Sequence, residues 1–268
     1  MSDISFQALE KAAKVYEERL VPAFFAKWAG KIAAAANLQP GELVLDVACG
    51  SGILARECAK LVGESGSATG VDPNPGMLSV ARSKAPDLEW KEGEATALPF
   101  ESGSFDAVVS QFGLMFFPEP GPALTEMRRV LKPEGRMVIA VFDRVEQAPA
   151  YAAMAGVLER LVSPEAATML LHPFCMGDRE DLAQQFAGAG LSGAEIHTDE
   201  TQAHFPSVRE MVLADVEGWF PLAGIHLTDA QVEEVVTEAE HALSDWTRSD
   251  GAVEFTVSVH VVSWKNEL

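Results

Sequence analysis

Residues 43–52 read LVLDVACGSG. An apolar run of buried-strand length stops at an acid, Asp46, and Gly50 and Gly52 follow closely. Glycine lets the backbone approach a ligand and lets amide N–H groups point at it. The stretch therefore reads as a strand that ends in a ligand-binding turn. Two common ligands are disfavoured by what is missing. There is no G-x-G-x-x-G dinucleotide fingerprint, and no G-K-[ST] of a phosphate-binding loop follows. Asp46 would repel a pyrophosphate and suits a cation such as an amino group. A glycine pair alone also fits an ordinary tight turn, so the weight falls on the rest of the chain.

Outward from this turn, strands and helices alternate between residues 42 and 143. GILARECAKLV reads as a helix, SATGVD as a second strand, and PGMLSVARSKA as a helix opened by Pro75. DLEWKEG, FDAVVSQF and GRMVIAVFD read as three more strands, with the helix PALTEMRRVLK before the last. Such alternation predicts an α/β fold, a mostly parallel sheet with helices on both faces. Ligands in these sheets bind beyond the carboxyl ends of the strands, where the opening turn lies. Residues 6–19 form an amphipathic helix and Pro22 opens a second one. After Asp143 the pattern changes. Residues 148–189 and 207–247 are mostly helical, separated by the strand AEIHTDETQAHF, and AVEFTVSVHVVSWKN closes the chain as a long strand. The expected organisation is one domain over 1–268: N-terminal helices (1–40), a ligand-binding core (41–143), a helical cap with one core strand (144–250), and a last strand (251–268).

The 268 residues are 48% hydrophobic, enough for a packed core, and carry a formal net charge of −20. That charge disfavours nucleic acid and anionic membranes as partners, since both are gripped largely through Lys and Arg. The three cysteines form no CxxC and no zinc spacing, so no metal and a reducing, cytoplasmic setting are expected. The charged, helical start does not resemble a signal peptide, and no 18 consecutive residues are apolar.

Three further motifs complete a site. Asp72, in GVDPNPGM, ends the second strand about 20 residues beyond the turn, where an acid accepts hydrogen bonds from ribose hydroxyls; it also fits a plain helix cap ahead of Pro75. Pro73 follows it, and Met77 is placed to lie against a flat base. Glu94 and Ala95, in EGEATALPF, can accept from an exocyclic amine and donate to a ring nitrogen. Gln111 and Phe112 end the fourth strand, where an acceptor should meet the cofactor. An acid for an ammonium, glycines for close approach, an acid for ribose and a polar contact for adenine together fit S-adenosylmethionine.

VLDVACGSG, GVDPNPGML, EGEATALPF, FDAVVSQFGLMFFPEP and RRVLKPEGRMVIAVF occur in order and resemble the successive motifs of class I S-adenosylmethionine-dependent methyltransferases. The nearest resemblance is to the branch that holds the quinone-biosynthesis C-methyltransferases. It implies a Rossmann-like, seven-stranded sheet. It also implies that Asp46, Ala48, Gly50 and Gly52 hold the methionine part, Asp72 the ribose, Glu94 and Ala95 the adenine, with Gln111 and Phe112 below the sulfonium. Ala48 stands where the family pattern has its first glycine. Tyr16 and Trp28 are candidates to close over the cofactor; ordinary helix packing is the competing reading.

The fourth strand ends in SQFG and lacks both the Asn/Asp-Pro-Pro-Tyr/Phe pattern of amino-group methylation and the metal-binding acid of catechol-type enzymes. Apolar side chains at Phe112, 115–117, Met169, Phe174, Met176, Trp219 and Phe220 suggest a pocket for a small aromatic or lipophilic acceptor. His172, at a break in the cap, is the first candidate base, ahead of His204 and His226. The expected activity is methyl transfer to a small molecule by a monomer or homodimer. C-methylation of a quinone precursor is the alternative within enzymes, and a non-catalytic cofactor-binding regulator the alternative outside them.

Overall fold

The computed structural model describes residues 5–267, the side chains at 222 and 223 excepted. The chain opens as a helical rod of three segments: α1 (Phe6–Val15), a π-helical stretch (Tyr16–Phe25) and α2 (Ala26–Ala35). Then β1 (Leu43–Val47), α3 (Ile53–Val62), β2 (Ser67–Asp72), α4 (Pro75–Lys84) and β3 (Glu89–Glu92) alternate. β4 (Phe105–Gln111), α5 (Pro120–Val130) and β5 (Leu131–Phe142) complete the first half. The second half holds α6 (Pro149–Leu161), α7 (Pro164–Leu171), α8 (Arg179–Gly188), β6 (Glu195–Phe205), α9 (Val208–Gly218), α10 (Asp229–Ala242) and β7 (Val253–Lys265).

The seven strands form one sheet in the order β3-β2-β1-β4-β5-β7-β6. β1 to β5 are parallel, and β7 runs antiparallel to both neighbours. Val44, Leu45, Val108 and Val109 are fully buried, as expected for central strands covered on both faces. The strand order reverses between β1 and β4, so a crevice opens beyond their carboxyl ends. Everything the site needs is delivered to that edge.

Local chemistry fixes the helix starts. Asn74 accepts from the amides of Gly76 and Met77 and caps α4, with Pro75 at its first position. Thr228 and Gln231 form a reciprocal capping box on α10. Two expectations are corrected. Pro22 does not open a new helix but lies inside the π-helical stretch. Proline lacks an N–H, and the wider π turn carries the chain past the missing hydrogen bond without a break. β5 starts at Leu131 rather than after the KPEG turn. The turn is absorbed as a bulge, in which Phe105 pairs with Leu131 and Ala107 already with Arg136.

In the second half, a buried polar group ties the cap to the sheet. His260 on β7 bonds Thr198 on β6 at 2.8 Å and the Gly177 carbonyl at 3.1 Å, and lies 3.3 Å from Asp143. Gly177 has no room for a side chain: a Cβ there would sit 2.3 Å from the backbone of Arg144. The HPFCMGD segment is thus a clasp between cap and sheet.

Candidate active site

A cavity of about 310 Å³ lies at the carboxyl edge of β1, β2 and β4, roofed by the π-helical stretch and the cap. Tyr16, Ala48, Gly50, Asp72, Pro73, Met77, Glu94, Ala95, Gln111 and Phe112 all lie on its wall. Ten side chains and backbone segments chosen from separate motifs therefore meet around one space.

The opening turn splits into two roles. Gly50 has φ +53°, and a Cβ there would come no nearer than 4.0 Å to anything, the Met77 sulfur. It faces open space on the cavity wall. Gly52 has φ +84° and faces the other way; a Cβ there would sit 2.3 Å from the Trp90 ring. Gly52 is absent from the wall and is required for packing on β3. Asp46 also turns from the wall. It is buried, and its Oδ2 accepts from the Ala55 amide at 2.9 Å, in the first turn of α3. The free N–H groups at the start of a helix attract an acid at the preceding strand end. Burial holds its carboxyl well above the usual range. Gly52 thus packs on Trp90 instead of facing the cavity, and Asp46 reaches α3 through Oδ2 while its Oδ1 is buried with no partner among the described residues.

Asp72 is locked from two sides: Oδ2 accepts from the Gly50 amide at 2.9 Å and Oδ1 from the Asn74 amide at 2.8 Å. Burial pushes its carboxyl up to about 6, against the pull of those two amides and with a further push from Glu94. Tyr16, in the π stretch, is raised well above the usual phenol by burial and by Glu17 and Asp72. The neighbouring Glu17 is held by Arg56 at 2.8 Å, which fastens the π stretch to α3. Gln111 donates to the Phe25 carbonyl at 3.1 Å, while its Oε1 is buried with no partner among the described residues. Phe112 sits at φ +55°, a strained setting for an aromatic, and stacks on Phe142 at 4.1 Å and 9°.

Away from Asp72 and Glu94 the wall is mostly aromatic. Phe116, Phe117, Phe174 and Trp219 line it as expected. Met115, Met169, Met176 and Phe220 do not, and Phe220 is fully buried core. Trp28 is likewise buried core rather than lid. His172 is corrected as well. It is exposed, off the wall, with its ring 5.5 Å from that of Phe116. His204 is paired with Glu254 at 2.9 Å, and His226 is exposed. Among the wall residues that the sequence did not reveal are Tyr151 and Asp215. Both lie on helices without a motif, and the only available signal was an acid at position 215 among the apolar residues of MVLADV. Among the described residues no three His, Cys, Asp or Glu side chains gather as a metal would require, and no helix is long and apolar enough to cross a membrane.

Residues 45–139 match the family described as a methyltransferase domain. A demethylmenaquinone methyltransferase from Renibacterium salmoninarum is 35% identical over 177 residues, 62% of this chain and 73% of that protein. The chain belongs to the S-adenosylmethionine-dependent methyltransferases. S-adenosylmethionine is the methyl donor of this enzyme, as the ordered motifs imply. A ubiquinone/menaquinone biosynthesis C-methyltransferase from Bordetella avium is 42% identical over 130 residues, 46% of this chain and 51% of the other. The enzyme thus spans about half the length of some relatives and nearly three quarters of another. Solved structures with the same fold include a SAM-dependent methyltransferase from Aquifex aeolicus (TM-score 0.50, 20% identity, 69% of this chain and 89% of that one). A phosphoethanolamine N-methyltransferase from Haemonchus contortus also shares it (TM-score 0.60, 16% identity, 99% and 61%).

Proposed function

We propose that this methyltransferase holds S-adenosylmethionine along the wall from Gly50 to Ala95. We further propose that it methylates a small lipophilic aromatic acceptor beneath the cap, a quinone precursor being the favoured example. The wall fits the donor molecule. Gly50 leaves an open cradle where a Cβ would intrude, and Asp72 is fixed by two amides while each oxygen retains capacity for a ribose hydroxyl. Pro73 and Met77 flank the place for the base, Glu94 and the Ala95 amide its edge. Ala48, Tyr16, Gln111 and Phe112 surround the methionine end.

When bound, the donor supplies a methyl group on a positively charged sulfur. The protein's contribution is then to bring the acceptor into line and keep water out. Phe112, fixed by its stack on Phe142 and by donation of its amide to the Ala140 carbonyl at 2.9 Å, forms a rigid floor between the two halves. The observation that carries the reading is this division of one cavity into a backbone-rich half at the sheet edge, with Asp72 and Glu94, and an aromatic half beneath the cap. The names of the relatives favour a quinone ring in the aromatic half. The acidic charge and three free cysteines favour a cytoplasmic enzyme with no nucleic-acid partner, working as a monomer or homodimer.

The test uses calorimetry and labelled donor. Asp72→Ala should weaken S-adenosylhomocysteine binding by roughly 1–3 kcal/mol, the scale of hydrogen bonds to a charged group. An unchanged dissociation constant contradicts the ribose assignment. The intact enzyme should place labelled methyl on the ring of a short-chain demethylmenaquinol. Absence of label there removes the quinone example and leaves the donor assignment standing.

A further inference from the structure

Asp215 is a buried acid that the fold alone does not use. It lies on α9, is 5% exposed, and stands on the cavity wall. Its Oδ2 has no hydrogen-bond partner among the described residues. Burial alone pushes its carboxyl up to about 7, with no contribution from a charged neighbour. The nearby cation on the π stretch, Arg19, is engaged by Glu210 and Glu217 of the same helix. A dry carboxyl without a partner costs stability, so such a group calls for a ligand or a reaction to explain it.

Its surroundings say which ligand. Tyr151, on α6, shares the wall, and the charge of Asp215 adds to the burial that raises its phenol. An aromatic path leads to this pair from the floor of the site: Phe142 to Phe174 at 5.2 Å, Phe174 to Tyr151 at 5.7 Å. Asp215 and Tyr151 come from the helices α9 and α6, whereas Asp72 and Glu94 come from the ends of β2 and β3. One carboxyl and one phenol at the end of an aromatic slot match a hydroxyl on an aromatic ring. The hydroxyl donates to Asp215 and accepts from Tyr151.

We propose that Asp215 and Tyr151 form the polar end of the acceptor subsite, binding the hydroxyl of a phenolic or hydroquinone acceptor, with Asp215 taking its proton. This rests on the aromatic-acceptor reading above. As the methyl carbon leaves sulfur, the electron pair of that bond stays on sulfur. The new bond is made by an electron pair of the acceptor, on oxygen or on the ring carbon conjugated with it. The hydroxyl grows more acidic as this charge is drawn away, and its proton passes to the Asp215 carboxylate. Where carbon is methylated the oxygen becomes a carbonyl; the ring proton then leaves to solvent, its electron pair restores the aromatic ring, and the proton held by Asp215 returns to the oxygen. An amine is the poorer fit. A carboxylate beside it would stabilise the ammonium, which has no electron pair to give.

The experiment uses the full chain saturated with S-adenosylhomocysteine and two probes, 1-naphthol and naphthalene, read by calorimetry. The enzyme should bind 1-naphthol at least tenfold tighter than naphthalene. Asp215→Leu should abolish that preference while leaving naphthalene and S-adenosylhomocysteine within about threefold of their original affinities. Asp215→Asn, which keeps the volume, should reduce the preference, and Tyr151→Phe should reduce it less. Equal binding of the two probes by the unmodified enzyme, or a preference that survives both Asp215 variants, overturns the inference alone. So does tighter binding of 1-naphthylmethylammonium than of 1-naphthol. Failure of both aromatic probes to bind overturns it together with the aromatic-acceptor reading, and failure of S-adenosylhomocysteine to bind points to the donor half.

Discussion

Asp72 and Asp215 are both buried carboxyls on the wall of one cavity, 7% and 5% exposed, yet they are held in different ways. Asp72 sits at the tip of β2, and two backbone amides within its own and the neighbouring turn clamp both oxygens. Asp215 sits on a cap helix with Oδ2 unpartnered. The half proposed for the donor is therefore pre-organised by the backbone of the sheet edge, whereas the half proposed for the acceptor is finished by whatever enters it. That difference matches their tasks. In the proposed function one half holds the shared donor, and the other takes an acceptor that is free to differ between enzymes.

The largest effect expected from this comparison separates the two glycines of the opening turn. Gly52→Ala drives a Cβ into the Trp90 ring at a positive φ. It should cost about 3 kcal/mol or more and lower Tm by roughly 6–12 °C in calorimetry. Gly50→Ala meets only open cavity and should cost about 1–2 kcal/mol for its left-handed backbone. Its main consequence should be weaker S-adenosylhomocysteine binding. A reversed order of the two melting temperatures would break the division of the turn into a packing face and a ligand face.

The two acids also set how stability responds to pH. Their folded pKa values, about 6 for Asp72 and about 7 for Asp215, lie above the value of an exposed aspartate. Between the unfolded and folded values the native state binds more protons than the unfolded chain. These groups therefore contribute stability at low pH that is lost as pH rises through 6 and 7. For Asp215 the loss between pH 5 and pH 8 is on the order of 2 kcal/mol. The ligand-free Asp215→Asn enzyme should lose less stability over that range than the parent in denaturant titrations. An identical slope would mean that Asp215 is already charged at pH 5, or paired. Asp72→Asn should flatten the profile less, because its pKa shift is smaller and its amide partners favour the charged form.

The sheet-edge half of the wall was legible because its parts are local. A strand, an acid or glycine at its tip and a helix start recur at fixed spacing, so Asp72, Glu94 and Gln111 could be placed from the chain alone. Asp46 and Gly52 belong to the same pattern but act on α3 and Trp90. Motif spacing shows that a residue is at the turn, not which way it faces. Tyr151 and Asp215 were beyond reach for another reason. They come from helices far apart in the chain, and only tertiary packing brings them together. The same holds for His260, which reads as one polar residue in an alternating strand and proves to be the buried tie to Gly177.

The smallest effect concerns Ala48, the residue that departs from the family's glycine pattern. It lies at φ +57° on the cavity wall. An alanine there bears a left-handed penalty of roughly 1–2 kcal/mol, while glycine at the same place loses about 0.4–1 kcal/mol more backbone entropy on folding. Ala48→Gly should therefore stabilise the enzyme by a few tenths of a kcal/mol to about 1 kcal/mol. The methyl group has a neighbour that makes room for it: a Cβ on Gly113 would sit 2.6 Å from the Ala48 Cβ and 2.9 Å from Ser110 Oγ. Gly113→Ala should accordingly be less damaging in an Ala48→Gly background than alone, though not harmless, since Ser110 remains. Such coupling, measured as a double-mutant cycle in denaturant, would show that the turn after β1 tolerates its alanine because the turn after β4 supplies a glycine opposite. Strict additivity would mean that the β1 and β4 tips relax independently, and that the donor wall is less rigid than the clamp on Asp72 implies.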